Sequence, residues 1–159
     1  MATLLQIPSI PQVLARWLQH WETYGFGNWA IALTDNPGRV IGFGGLSIRS
    51  YADLSINNLG YRFATEAWGK GLATEFAKYT VDYGFGEIKL AEISAVVRAN
   101  HLASQKVLTR AGLQYLREIH DVKSAPPSLL FTLTQTSGIK NKYAGHTVSR
   151  RITSISAVL

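Results

Sequence analysis

The 159-residue sequence predicts a single α/β (α+β) domain built on a mixed, mostly antiparallel sheet flanked by helices. Three observations predict it. The apolar period switches between helical and strand spacing in the order helix, three strands, helix, strand, helix, two strands. Asp35-Asn36-Pro37-Gly38 is a turn that folds the first two strands into a hairpin, with Pro presetting φ and Gly accepting a positive one. Trp68-Gly69-Lys70-Gly71-Leu72 joins a strand directly to a helix, as a β-α-β unit requires.

Each element has its own signal. Val13, Leu14, Trp17, Leu18 and Trp21 recur at helical spacing over 9–23, where Ser9 can cap the first turn and Gly25 and Gly27 end the last. Residues 28–34 alternate as a strand, and 39–48 return as its hairpin partner. Within that return, Gly42-Phe43-Gly44-Gly45 opens no helix and reads as a bulge or a close backbone approach. Residues 49–57 are polar and read as a loop leading to a short strand at 58–64. Leu72, Phe76, Tyr79 and Tyr83 share one face of a helix that Gly84 and Gly86 close. Residues 91–98 are rich in β-formers. Asn100 is a good N-cap for a helix over 101–111, with Gly112 at its C′ position. Residues 113–120 and 128–134 close the sheet. No periodicity is visible beyond Ser137, so the domain is expected at 1–136 and a basic tail at 137–159.

Composition narrows the class. A domain of this length buries roughly two thirds of its unfolded surface, so it needs no metal or disulfide to hold it. The absence of cysteine excludes a disulfide framework, a Cys nucleophile and thiolate metal sites. No apolar run approaches the roughly 18 residues of a membrane span, and the N-terminus lacks a signal-peptide pattern. The expected location is the cytoplasm, with no membrane partner and no metal. Of 16 basic and 10 acidic residues, four basic ones (Lys140, Lys142, Arg150, Arg151) and no acidic ones lie in 137–159. The rest of the chain is close to balanced and has no basic stripe interleaved with aromatics, which argues against a nucleic-acid partner.

The junction at residues 68–74 carries the chemistry. Two glycines let backbone turn tightly against a ligand, and the following helix presents unpaired N–H groups, about half a positive charge, to an anion. Lys70 adds a full charge at the rim. The spacing of a Walker A loop is absent, and Gly69-x-Gly71 is followed by Thr74 where a dinucleotide fingerprint needs a third glycine.

Residues 59–75, Leu59-Gly60-Tyr61-Arg62-Phe63-Ala64-Thr65-Glu66-Ala67-Trp68-Gly69-Lys70-Gly71-Leu72-Ala73-Thr74-Glu75, resemble the acyl-CoA-binding motif of the GNAT N-acetyltransferases, with Gly71-Leu72-Ala73 matching its second half. Trp68 stands where that family often has Gln or Arg, a variant found in the RimJ/RimL-type branch. A second block, Asn100, Ser104 and Leu108 followed by Ala111-Gly112-Leu113, resembles the same branch. The likeness runs over roughly residues 13–134.

The resemblance implies the GNAT fold, acetyl-CoA as cosubstrate, and direct acetyl transfer to a primary amine in a ternary complex. The amine is that of a protein or peptide N-terminus or of a small molecule. It implies that backbone of Phe63 and Ala64 pairs with the pantetheine amides, and that Trp68, Gly69, Lys70, Gly71, Leu72, Ala73 and Thr74 hold the pyrophosphate. Asn100 would contact the cofactor arm, and Ser104 would stand near the sulfur as an acid for the leaving thiolate. Read without the resemblance, Asn100 is equally a helix cap and Ser104 a small helix residue. Lys106 reads either as a phosphate contact or as an exposed helix lysine.

A peptide α-amine near pKa 8 is roughly one-tenth neutral at pH 7, and a lysine amine far less, so an α-amine acceptor asks little of a general base. Glu118, His120 and Asp121 are the candidates for that base, each also readable as a surface residue. Glu66 and Glu75 read as local charge and dipole partners, and Trp21, Tyr24, Phe26 and Trp29 as core or acceptor wall. Family members usually begin with a strand and helix ahead of the helix expected at 9–23, and neither is expected here in full. Either residues 3–7 supply a strand, or the sheet edge is left open to a partner subunit, as in a homodimer. Two other readings remain: a non-catalytic CoA-binding module of the same fold, and a nucleic-acid binder using its tail.

Overall fold

The computed structural model describes residues 9–51, 53–135 and 151–155. Helix α1 spans Ile10–Tyr24 and opens with a capping box. The Ser9 hydroxyl accepts from Gln12 N–H at 3.4 Å, and the Gln12 side chain accepts from Ser9 N–H at 2.9 Å. Gly25 ends the helix in the left-handed conformation at φ 75°, its N–H donating to Trp21 O.

Strands β1 (Asn28–Leu33) and β2 (Asn36–Tyr51) form the first hairpin. The turn sits at residues 34–35, earlier than the Pro-Gly signal places it. Leu33 pairs with Asn36 and Ala32 already with Val40, so Pro37, Gly38 and Arg39 are thrown out as a bulge. Proline, which has no N–H to give the ladder, stands in that bulge rather than at the corner.

The expected loop at 49–57 is instead strand. β2 continues to Tyr51 and β3 (Leu54–Phe63) returns against it, in register from Tyr51↔Leu54 to Gly42↔Phe63. Exposed Arg49, Ser50 and Ser55 gave the stretch its polar look. Tyr51, Leu54 and Ile56 share the face opposite Ser50 and Ser55 and pack with Ile119 and Leu130, while Arg49 lies over the Tyr51 ring. The glycines of β2 are sites of close approach: a Cβ at Gly44 would stand 2.7 Å from Gly60 O and from the Phe76 ring.

A 3-10 turn, Thr65–Ala67, leads to α2 (Leu72–Gly86), then β4 (Glu92–Arg98), α3 (Leu102–Arg110), β5 (Gln114–Ile119) and β6 (Ser128–Thr134). Asn100 is not the cap of α3. His101 holds that position without a side-chain bond, and Gln105 secures the corner instead by donating to Ala99 O at 2.9 Å and Arg98 O at 3.3 Å. Gly112 follows the C-cap Ala111 at φ 101°, as expected of C′.

Part of the tail belongs to the sheet. Ile152–Ile155 form β7, which pairs antiparallel with β1 from Leu33↔Ile152 to Ala30↔Ile155. The β1 edge of the sheet is therefore covered by the chain's own β7, which neither of the two alternatives, a strand at 3–7 or an open edge, foresaw. A strand at residues 3–7, and most of the tail, lie outside the described residues. The sheet runs β5-β6-β4-β3-β2-β1-β7, with one parallel pair, β3 and β4.

Helices α2 and α3 cover one face over a core that includes Leu46, Leu59, Ala77, Ile93, Leu108 and Phe131. Trp21 and Tyr83 pack against both it and a second cluster of Trp29, Phe63, Leu72, Phe76 and Ile152. Helix α1 buries no residue completely; its Trp17 ring lies 5.5 Å from that of Phe43. His20 pins it to the sheet. Ile48 N–H donates to His20 Nε2 at 3.0 Å, which leaves Nδ1 to carry the proton and donate to Phe26 O at 2.7 Å.

Candidate active site

The site begins where two strands part. β3 and β4 share a single parallel bridge, Asn58↔Ser94, and beyond it 59–63 and 95–98 run without a partner across the gap. Backbone polar groups point alternately to the two sides of a strand. Ala64 N–H donates to Ile41 O at 2.8 Å, on the β2 side, so the groups of Tyr61 and Phe63 face β4. The Ala64 carbonyl accepts from Ala67 N–H. Both polar groups of Ala64 are thus engaged within the protein. Phe63 is left as the residue of the pair whose N–H is aimed at the gap.

Residues 68–74 close one end of that gap. Gly69 and Gly71 are left-handed at φ 73° and 75°, conformations that the two glycines supply without strain. Gly71 is the N-cap of α2 and offers no side-chain acceptor, so the first-turn N–H groups meet no cap. Trp68 is 65% exposed, and its indole N–H donates to Phe63 O at 3.0 Å, tying the loop to the end of β3. Lys70 is exposed at the rim, Leu72 is buried beneath the loop, and Ala73 and Thr74 are half-buried. Arg39, from the bulge in β2, forms an ion pair with Glu66 and braces the 3-10 turn from outside.

The tail reaches this same corner. Glu75, in the first turn of α2, accepts Arg151 N–H at 2.8 Å and Arg151 Nε at 3.2 Å, and the Glu75 side chain is only 9% exposed. Nη2 of Arg151 stands 3.5 Å from where a Cβ on Gly71 would be. Sequence reading found Glu75 but not its partner, because nothing local marks a strand at 152–155.

On the α3 side, Asn100 is exposed in the turn before the helix, while Ser104 is half-buried and faces Tyr61 of β3. Burial raises the Tyr61 phenol above its ordinary value, and the Ser104 hydroxyl pulls it part of the way back. Lys106 is exposed. Glu118 and His120 are exposed as well. Asp121 is tied down, accepting from Ser128 Oγ at 2.8 Å and lying 3.5 Å from Arg98 Nη1. Trp29 and Phe26 are core, Trp21 packs beside Trp29 at 6.1 Å, and Tyr24 is half exposed.

Two cavities flank the loop without entering the strand gap. One of about 220 Å³ is lined by Arg39, Glu66, Lys70 and Leu72, and one of about 240 Å³ by Glu75, Phe76, Tyr79 and Ile152. Among the described residues no three His, Asp or Glu side chains are grouped to hold a metal, and no helix is long and apolar enough to cross a membrane.

The fold is shared with known proteins. An acetyltransferase from Agrobacterium tumefaciens superposes with a TM-score of 0.68 at 24% identity, over 84% of this chain and 75% of that one. RimJ of Mycobacterium smegmatis, solved with CoA-disulfide, gives 0.64 at 22% identity over 78% and 60%. The Vibrio cholerae spermidine N-acetyltransferase, solved with CoA and spermine, gives 0.65 at 15% over 81% and 77%. The likeness in fold therefore extends beyond the RimJ/RimL branch. In sequence, the chain is 32% identical to the uncharacterized protein YkkB of Bacillus subtilis over 65% of its length and 60% of the relative's. It is 36% identical to the probable N-acetyltransferase YjcK of the same organism, over 60% and 50%. The chain thus spans 50–60% of the length of these relatives. The model of the acetyltransferase (GNAT) domain matches residues 3–114, most of the chain and the whole of the split-strand region, and the chain belongs to the GNAT acetyltransferase family.

Proposed function

We propose that this chain binds acetyl-CoA between β3 and β4 and transfers the acetyl group directly to a primary amine in a ternary complex. The observation that carries the reading is the single β3–β4 bridge opening onto the uncapped N-terminus of α2 behind two left-handed glycines. The loop N–H groups from Gly69 to Thr74, with Lys70, would receive the pyrophosphate, and Phe63 N–H the pantetheine arm. That N–H would also polarise the thioester carbonyl. Asn100 and Ser104 would flank the reactive end. Spermine bound with CoA in the V. cholerae enzyme supports a polyamine as acceptor, beside the peptide N-terminus that the RimJ/RimL-like block suggests. The block at Asn100, Ser104 and Leu108 favours the RimJ/RimL type.

The functional unit we propose is residues 1–136 together with β7, the rest of the basic tail being a connection to that strand. A homodimer, if formed, would use the β5 edge, where Tyr115 and Leu116 are more than half exposed. The test is calorimetry with acetyl-CoA, followed by thiol release with peptide N-termini, polyamines and aminoglycosides. Absence of binding refutes the proposal. Binding without turnover on any acceptor supports the second reading, a non-catalytic CoA-binding module, which the incomplete burial of α1 favours.

A further inference from the structure

The gap between β3 and β4 has two faces, and one is sealed. Leu59 and Phe63 of β3 and Ala95 and Val97 of β4 turn to the helices and pack in the clusters that hold Phe76 and Val81 of α2. An acceptor amine therefore has to come from the opposite face. Side chains alternate along a strand, so the residues flanking the gap on that face are Gly60 and Arg62 on β3 and Val96 and Arg98 on β4. Val96 packs accordingly, against Ile56, Ile119 and Leu130. Each strand thus sets one arginine at the mouth. Arg62 is exposed and has no hydrogen bond or ion pair among the described residues. Arg98 is also exposed; its Nη1 lies 3.5 Å from Asp121 and 3.4 Å from Pro126 O. Asp121 is shared with the Ser128 hydroxyl, which donates to it at 2.8 Å. A third arginine of this face, Arg49, lies over the Tyr51 ring, 5.3 Å from its centroid.

We infer that the acceptor is an α-amine with a carboxylate close to it, as at an acidic peptide N-terminus or in a free amino acid, and that Arg62 and Arg98 receive that carboxylate. The inference rests on the acetyl-CoA reading above and selects between its acceptors. A polyamine would bring several further positive charges to a mouth that already carries them, and the carboxylate beside Arg98 is engaged within the protein. An anionic acceptor is drawn in instead, and a guanidinium can hold its carboxylate by two parallel hydrogen bonds. The same positive charges disfavour the protonated form of an incoming amine and so favour the neutral nucleophile. Arg62 acts on specificity in this account and takes no part in moving a proton.

The test compares thiol release with five acceptors: free glutamate, spermine, and three peptides alike except that residues two and three are acidic, neutral or basic. At low salt, kcat/KM for the acidic peptide should exceed that for the neutral one about tenfold and those for the basic peptide and spermine about 100-fold, with the preference narrowing as salt rises. Turnover of glutamate tells a free amino acid from a peptide as the source of the carboxylate. Arg62→Gln should raise KM for the acidic peptide about tenfold and for the neutral one less than about twofold, leaving KM for acetyl-CoA and the melting temperature unchanged. Arg62→Glu should turn the preference toward the basic peptide. Wild-type protein that uses spermine or the basic peptide as well as the acidic one overturns the inference and leaves the acetyltransferase reading intact. Equal losses on the acidic and neutral peptides in Arg62→Gln do the same. Acetyl-CoA binding without turnover of any of the five also overturns it, and failure to bind acetyl-CoA overturns both readings.

Discussion

Replacing Gly71 by Asp perturbs the loop in two separable ways, and the structure sizes each. The residue sits at φ 75°, where an ordinary side chain costs about 1–2 kcal/mol. Asp is among the side chains that tolerate this region best, so strain alone is the smaller part. The larger part is charge. A carboxylate about 5 Å from a cofactor phosphate, at an effective dielectric of about 20, opposes each phosphate charge by about 3 kcal/mol, or about 100-fold in affinity. Arg151 Nη2, 3.5 Å from the new Cβ, would neutralise some of that charge, so the net loss should be about 10- to 100-fold. Gly71→Ala carries the strain without the charge and should lose about tenfold. Calorimetric titration of acetyl-CoA into both variants, at low and high salt, separates the contributions, because only the Asp penalty should shrink as salt rises. Equal affinity for wild type and Gly71→Asp would refute the placement of the pyrophosphate at this loop.

Two further outcomes follow from the side-chain environments. Burial raises the phenols of Tyr51, Tyr61 and Tyr83 above the ordinary value of 10.0, so the unfolded chain releases these protons first. Their contribution to stability is complete below about pH 10 and is lost as pH rises toward the folded values; urea midpoints measured from about pH 9 to about pH 11 should fall, less steeply in Tyr61→Phe. His20→Ala leaves Ile48 N–H and Phe26 O without their shared partner and should cost about 1–2 kcal/mol, read as a lower urea midpoint, with faster amide exchange in α1 than in α2.

Those residues also show where sequence reading reached and where it stopped. The strand-to-helix loop at 68–71 was legible because its signal is local: Gly69 and Gly71 advertise positive φ, and the periodic face beginning at Leu72 announces the helix that follows. The core strand at 92–98 was legible for the same reason, as a short run of β-formers between turn signals. The hairpin at 49–57 was not, because its exposed face is polar, while the alternation of Tyr51, Leu54 and Ile56 spans a turn that reverses it. Asn100 has an excellent capping side chain, yet Gln105 took over the corner from inside the helix, a competition that local propensity cannot decide. His20 and Tyr61 acquire meaning only from partners 28 and 43 residues away, Ile48 and Ser104. The strand-gap geometry itself is an absence of pairing, which no residue type announces.

The tail brings these strands of argument to one test. A basic stretch without periodicity looks like a solvated extension, and removing a solvated extension should change nothing. The structure gives its end two tasks. Ile152 is buried against the second core cluster, and β7 covers the outer edge of β1. Arg151 meanwhile neutralises Glu75, a carboxylate in the first turn of the helix that would hold the pyrophosphate. Deleting 137–159 therefore exposes an edge strand and also frees a negative charge about one helical turn from the phosphates. The truncated chain should melt earlier and bind acetyl-CoA about tenfold more weakly, with the weakening reduced by salt. The two effects come apart in a second variant. Adding Glu75→Gln to the deletion should restore much of the cofactor affinity while leaving the melting temperature low, because it removes the freed charge but not the open edge. A truncated protein with unchanged melting temperature and unchanged affinity would return the tail to the role of a bystander. A double variant that recovers stability but not affinity would refute the electrostatic link between Arg151 and the loop.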